Sequence, residues 1–279
     1  MSDGSTRPEA PWRPSRLIRG SVALHLCAGV AFIARPQLWP WALGTVVADH
    51  LLLTAAGLWP KSRLLGPNWT RLPGNAATSH AVGITIDDGP DPEITPRVLS
   101  ILDEHAAKAT FFCIGDQVRR YPEIAREIVQ RGHMIENHSQ RHLHRFSLLG
   151  PRGLAAEIEQ AQHTIGAVTG QQPRFFRAPA GLRNPFLDRV LVRLGLHLAS
   201  WTRRGFDTVN RSADVVYGKL VNRLQAGDIL LLHDGHAALT ATGVPVILEV
   251  LPRLLTAVAS EKLVPITLRA ALELGACRT

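Results

Sequence analysis

Apolar residues follow two different patterns along this chain. Between residues 17 and 59 they run together, whereas after residue 81 they come in short blocks separated by amphipathic stretches. The early region holds two apolar segments, residues 17–34 and 38–59. The second is long enough to cross a bilayer, which takes about 20 residues. Trp39 and Trp41 at one end and Trp59 at the other resemble interfacial aromatic anchors. Arg19 and His25 interrupt the first segment, leaving a clean apolar run only from Ser21 onward. That run suits a tilted first helix or the apolar part of a signal peptide, but no small-x-small cleavage site follows it. Asp49-His50 lies mid-way along the second segment, where lipid makes it costly without a partner; His25 is the candidate. The alternative is a helical hairpin lying on a soluble domain.

After residue 81 the pattern predicts strands near 82–86, 109–114, 133–137, 174–177, 196–201, 228–232 and 263–267. Between and after them fall helical stretches near 96–105, 118–131, 153–169, 185–194, 213–225, 246–260 and 268–274. Several helices stop at glycine, as at Arg131-Gly132 and Thr169-Gly170. Seven strand–helix units in a row predict an α/β fold with a parallel sheet, most simply a barrel of about seven strands. Residues 1–70 then form an N-terminal membrane anchor, and residues 78–279 the folded domain. The first twenty residues, rich in Pro and Arg, read as disordered or interfacial.

Composition narrows the partners. Of 279 residues, 46% are hydrophobic and 19% charged, which excludes a disordered chain. The formal charge of +8 raises nucleic acid or anionic lipid as partners. No basic run with interleaved aromatics is present, so nucleic acid drops out, and a membrane surface fits the charge beside the apolar segments. Arg7, Arg13, Arg16 and Arg19 precede those segments and Lys61, Arg63 and Arg71 follow them, with only Arg35 between. The bias of positive charge toward the cytoplasm places both ends inside, in a bacterial-type inner membrane. If only the second segment spans, the side of the folded domain is left open. Three cysteines, Cys27, Cys113 and Cys277, are too few for a disulfide framework and lean toward a reducing compartment.

Candidate chemistry collects where the predicted strands end. The first ends at Asp87-Asp88-Gly89-Pro90 and the third at Asn137-His138. The fourth ends at Arg177-Ala178-Pro179-Ala180-Gly181, the fifth leads on to Asp207, and the sixth ends at Leu232-His233-Asp234. In a parallel barrel these positions share one rim, the face that carries active sites. Adjacent carboxylates repel, and one economical remedy is a divalent cation held by one of them while the other stays free as a base. His138 and His142, four apart on a presumed helical turn, could grip that ion. Ser139 stands where the metalloprotease pattern needs Glu, so that class is excluded. Two imidazoles and one carboxylate suit a hydrolytic Zn²⁺ or a similar divalent metal.

Thr85-Ile86-Asp87-Asp88-Gly89-Pro90, His138-Ser139-x-x-His142, Arg177-x-Pro179-x-Gly181 and Leu231-Leu232-His233-Asp234 appear in order. Together they resemble the motifs of the polysaccharide deacetylases with a NodB-homology domain, carbohydrate esterase family 4. The resemblance covers roughly residues 81–274 and implies a deformed (β/α) barrel that removes an acetyl group from an N-acetylated amino sugar. It implies a metal held by Asp88, His138 and His142, and Asp87 as general base oriented by Arg177. It makes His233 the general acid, tuned by Asp207, and Leu231 a wall for the acetyl methyl. Ala180 stands where the family often has an aromatic residue, so its backbone N–H is the contact left there. Trp201 is expected to stack on the sugar. The substrate is then a polysaccharide or a lipid-linked glycan, with membrane lipid as a further partner. A deformylase or a hydrolase of another amide or cyclic amide would use the same residues. A non-catalytic sugar-binding barrel fits less well, because acid, base and ligands are all present. An aspartyl phosphatase fits poorly because its two carboxylates stand one residue apart.

Overall fold

Alternation along the strands sorts side chains into two layers. The computed structural model describes residues 11–74 and 80–276. Its strands are β1 (Ala81–Asp87), β2 (Thr110–Cys113), β3 (Met134–Asn137), β4 (Phe175–Phe176), β5 (His197–Leu198), β6 (Arg203–Arg204), β7 (Ile229–His233) and β8 (Val264–Ile266). All pair in parallel, in the order β5-β4-β3-β2-β1-β7-β6, with β8 beside the start of β1. The helices over the sheet are α3 (Ile94–Glu104), α4 (Gly115–Arg120), α5 (Pro122–Gln130), α6 (Pro151–Thr169), α7 (Leu187–Arg193), α8 (Ala213–Val221), α9 (Val246–Ser260) and α10 (Leu268–Ala276).

In β1, Val82, Ile84 and Ile86 pack outward into one core with Leu99 of α3 and Leu251 of α9. In β7, Leu230 and Leu232 join that core, whereas Ile229 and Leu231 pack inward with Phe112, Phe175 and Trp201. Each fully buried aliphatic side chain contributes about 1.5–3 kcal/mol, so both layers strongly specify the register. The same alternation turns Asp87 and His233 inward, and the register sets them directly opposite one another. The barrel is the deformed one expected.

Four sequence expectations change. The predicted helix over 118–131 is two helices, because Pro122 has no N–H to continue the ladder and instead opens α5. β6 went unpredicted, since two arginines carry no apolar signal. Residues 60–70, expected within the anchor, and the two that follow pack on the barrel, bridging the end of β5 to the segment that enters β7. Trp69 N–H donates to Leu198 O (2.9 Å), Ser200 N–H to Trp69 O (2.8 Å) and Leu72 N–H to Gly227 O (2.8 Å). Arg71 pairs with the buried Asp228 at 2.7 Å. Backbone groups at an unpaired edge need such partners.

The fourth change concerns the N-terminus. Residues 11–15 are not free: Trp12 Nε1 donates to Asp188 Oδ2 (2.8 Å), and Ser15 Oγ to Leu64 O (2.6 Å). Arg7 and Cys277 lie outside the described residues. Helices α1 (Arg16–Ala34) and α2 (Trp39–Leu58) follow as a hairpin, each long and apolar enough to cross a membrane by length and composition. At 1.5 Å per residue, the 20 residues of α2 reach about 30 Å. Asp49 finds its partners on α1: Ser21 Oγ donates to Asp49 Oδ2 (2.6 Å), and His25 Nδ1 lies 3.9 Å away.

Candidate active site and metal centre

The rim at the strand ends brings together residues separated by up to 146 positions. Asp88 follows β1 in the left-handed region (φ 76°), which turns its carboxylate away from the strand direction. His138 follows β3. The segment to His142 is not a helical turn, as the spacing had suggested. Ser139 (φ 64°) and His142 (φ 50°) are left-handed, and the loop is held by Ser139 N–H to Asn137 Oδ1 (2.8 Å) and His142 N–H to Ser139 Oγ (3.1 Å). These side-chain bonds oppose the cost of positive φ and bring both imidazoles to one carboxylate.

His138 Nε2 and His142 Nε2 each lie 3.3 Å from Asp88 Oδ1. One ligand atom from each of the three residues falls within 4.8 Å of the others. His138 Nδ1 lies 2.8 Å from Arg177 O, so it carries the proton and leaves a lone pair on Nε2. His142 has its pKa pushed down to about 4, first by burial and then by His138, so it is neutral at pH 7. Buried Asp88 Oδ1 has no hydrogen-bond donor. Lone pairs facing lone pairs in a buried site repel unless a cation lies between them. The three residues fit a divalent metal of the kind that accepts imidazole and carboxylate.

Asp87 is gripped from one side. Arg177 Nη1 donates to Asp87 Oδ1 at 2.6 Å and to Thr85 Oγ1 at 2.9 Å. Arg177 Nη2 donates to Ser200 O, and its guanidinium sits 4.1 Å from the Phe112 ring centroid. Burial lowers the Arg177 pKa while Asp87 opposes the loss of charge. Asp87 Oδ2 is left facing the ligand set, 3.9 Å from His138 Nε2. Across the strand pair, Asp207 Oδ2 accepts His233 N–H (2.7 Å) and Oδ1 lies 2.8 Å from His233 Nδ1. Burial alone would lower the His233 pKa, but the Asp207 hydrogen bond and charge more than offset it and raise it above 6.5. For Asp88, burial pushes upward, yet the surrounding histidines His138, His236 and His233 hold the carboxyl well below its ordinary value.

A cavity of about 240 Å³ opens over these groups, with Ala180, Leu231 and Trp201 on its wall. Ala180 is left-handed (φ 54°) within the short turn Pro179–Gly181. Trp201 lines the same cavity; it is only 5% exposed, with the guanidinium groups of Arg204 and Arg177 at 5.4 and 5.9 Å from its ring centroid. Sequence reasoning left two contributors unassigned. His236 Nδ1 lies 3.7 Å from Asp88 Oδ2, and Arg204 lines the cavity. A second histidine in Leu232-His233-Asp234-Gly235-His236 was the available signal for the first; nothing marked the second. His133, by contrast, is core: it accepts the Ala109 N–H, packs edge-on to Phe111, and burial brings its pKa down to about 4.

Residues 74–199 match the sequence family described as polysaccharide deacetylase. A peptidoglycan-N-acetylglucosamine deacetylase of Bacillus cereus is 34% identical over 175 residues, 62% of this chain and 81% of the relative. A chitooligosaccharide deacetylase of Bradyrhizobium is 33% identical over 164 residues, 58% of this chain and 74% of that one. The solved structure of a family 4 carbohydrate esterase from Streptomyces lividans, in complex with acetate, superposes with a TM-score of 0.62 at 30% identity. It covers 70% of this chain and 96% of that one. The chain belongs to the polysaccharide deacetylase family, hydrolases that act on the amide carbon–nitrogen bond of N-acetylated sugars.

Proposed function

We propose that this protein is a metal-dependent deacetylase of an N-acetylated amino sugar, held at a membrane by its N-terminal hairpin. One observation carries the reading. An Asp88–His138–His142 set, built to share a cation, faces the free oxygen of an arginine-held Asp87 beside a histidine charged through Asp207. The names of the relatives point to N-acetylglucosamine units as the sugar.

Asp88, His138 and His142 would hold the metal, Zn²⁺ being the ion this donor set favours. Bound there, it would supply Lewis-acid polarisation of the amide carbonyl and acidify water. The protein does the rest. Asp87 takes the proton of the attacking water, and Arg177 keeps that carboxylate ionised and aimed through a charge-assisted bond. The Ala180 backbone N–H is the candidate donor to the oxyanion that forms. His233, kept as imidazolium by Asp207, gives its proton to the departing amine nitrogen, a step worth roughly 10²–10⁴-fold in rate. Leu231 supplies an apolar wall for the acetyl methyl. Full-length protein incubated with chitooligosaccharide and Zn²⁺ should release acetate, stop on chelation and resume on adding metal. Release unaffected by chelation would overturn the metal assignment, and no release in any metal would overturn the deacetylase reading.

A further inference from the structure

The anchor and the active site share one end of the barrel. Arg183, in the connection after β4, donates its N–H to Gly57 O (3.1 Å) near the end of α2. Gly57 is packed against the Arg183 carbonyl with no room for a Cβ. The base of α1 is tied to the start of α7, which follows the same connection, through Trp12 and Asp188. Pro60, two residues beyond α2, packs against Gly181 of the cavity wall. A Cβ added to Gly181 would lie 2.7 Å from Pro60 Cβ and 2.6 Å from the Trp201 ring. The hairpin therefore leaves the barrel beside the catalytic cavity.

The same end is apolar where it meets solvent. Leu148 follows β3, Phe186 follows β4, Phe206 and Val209 follow β6, and Leu239 follows β7; all are between 45% and 84% exposed. Connections at the opposite end, residues 105–109, 131–133 and 222–228, contribute no exposed large apolar side chain among the described residues. Val264, at the start of β8, and Leu274 on α10 are exposed at that end as scattered single apolar residues commonly are. Exposed Arg141, Arg145, Arg152 and Arg211 are interspersed on the apolar side. Apolar tips among arginines, continuous with two exposed apolar helices, match an anionic bilayer surface better than a protein partner.

We propose that the strand-end rim rests on the bilayer, so that the cavity takes its N-acylated sugar from a lipid carrier in the same membrane. This rests on the membrane-anchored deacetylase reading above and narrows its substrate class. A sugar attached to a lipid is confined near the cavity mouth, which raises its effective concentration. A polymer strand far from the membrane is not.

The test uses the full chain in vesicles of phosphatidylcholine and phosphatidylglycerol. An environment-sensitive fluorophore is placed on Leu148→Cys, Val209→Cys or Leu239→Cys. Glu104→Cys and Glu261→Cys at the far end serve as references, all in a Cys27→Ser, Cys277→Ser background. Nitroxide-labelled lipid should quench the first three and leave the references bright. N-acetylglucosamine tethered to a dialkyl lipid should be deacetylated with a kcat/KM about tenfold or more above that of chitotriose. Val209→Asp with Leu239→Asp should remove that advantage while chitotriose turnover is kept. Equal quenching at both ends in a chain that floats with the vesicles would overturn the proposal, even if deacetylation is found. Quenched rim labels without turnover of either sugar would support the rim contact and overturn the deacetylase reading instead. A chain that does not float with vesicles removes the anchor, and the proposal with it.

Discussion

At the scale of single residues, the proposed chemistry separates holding a metal from moving protons. Asp87 and Asp88 are neighbours, yet a left-handed Asp88 sends the two carboxylates to different partners. Asp87→Asn should keep metal content unchanged while lowering turnover by roughly 10²–10⁴-fold, read by metal analysis beside acetate release. His142→Ala should instead strip the ion; a variant that still carries full metal would remove His142 from the ligand set. The pH profile tests Asp207. In the proposed role His233 must be protonated to act, and Asp207 raises its pKa from the ordinary imidazole value, so activity should fall as pH rises through that raised value. Asp207→Asn removes the carboxylate that stabilises the imidazolium, so the basic limb should move to lower pH. A limb that stays in place would assign it to another group.

At the scale of elements, the connections carry the chemistry and the strand alternation aims it. The inward parity that buries Leu231 also presents His233, and the outward parity of Ile84 and Ile86 leaves Thr85 and Asp87 to Arg177. Much of this was legible in the chain, because apolar blocks with period two mark strands whatever surrounds them. The loop of His138 and His142 was not. Its left-handed residues are stabilised by Asn137 and Ser139 side chains, a local bond pattern that competes with helix and leaves no apolar periodicity. The junction of α2 with the barrel gives a prediction at this scale. Gly57→Leu should cost about 1–3 kcal/mol, because the added side chain must displace the Arg183 backbone. Thermal unfolding of the full chain in detergent reads that loss, and unchanged stability would mean the junction is loose.

At the scale of the molecule, ligand binding and folding are coupled. A metal that binds the folded site alone adds about 2.7 kcal/mol at a hundredfold excess over its dissociation constant. For a domain of this size that amounts to roughly 5–10 °C in Tm. Chelation should therefore lower Tm by that order in the parent and leave His142→Ala almost unmoved. Equal shifts in both would place the bound metal elsewhere. The parallel sheet is also completed only at this scale. Residues 60–72 run from the apolar hairpin to bridge the end of β5 and the segment that enters β7, so the hairpin is fastened to the barrel instead of hanging from a free linker.

The chain alone determined the number and order of most elements, the two apolar helices and which residues make up the candidate metal site. Each of these depends on local periodicity or on residue chemistry, and both survive without knowledge of neighbours. Only the tertiary structure decided that His236 and Arg204 reach the cavity and that the apolar hairpin emerges beside it. Those depend on contacts between segments far apart in sequence, such as Gly57 with Arg183 and Trp69 with Leu198, where no local pattern records which surfaces will meet.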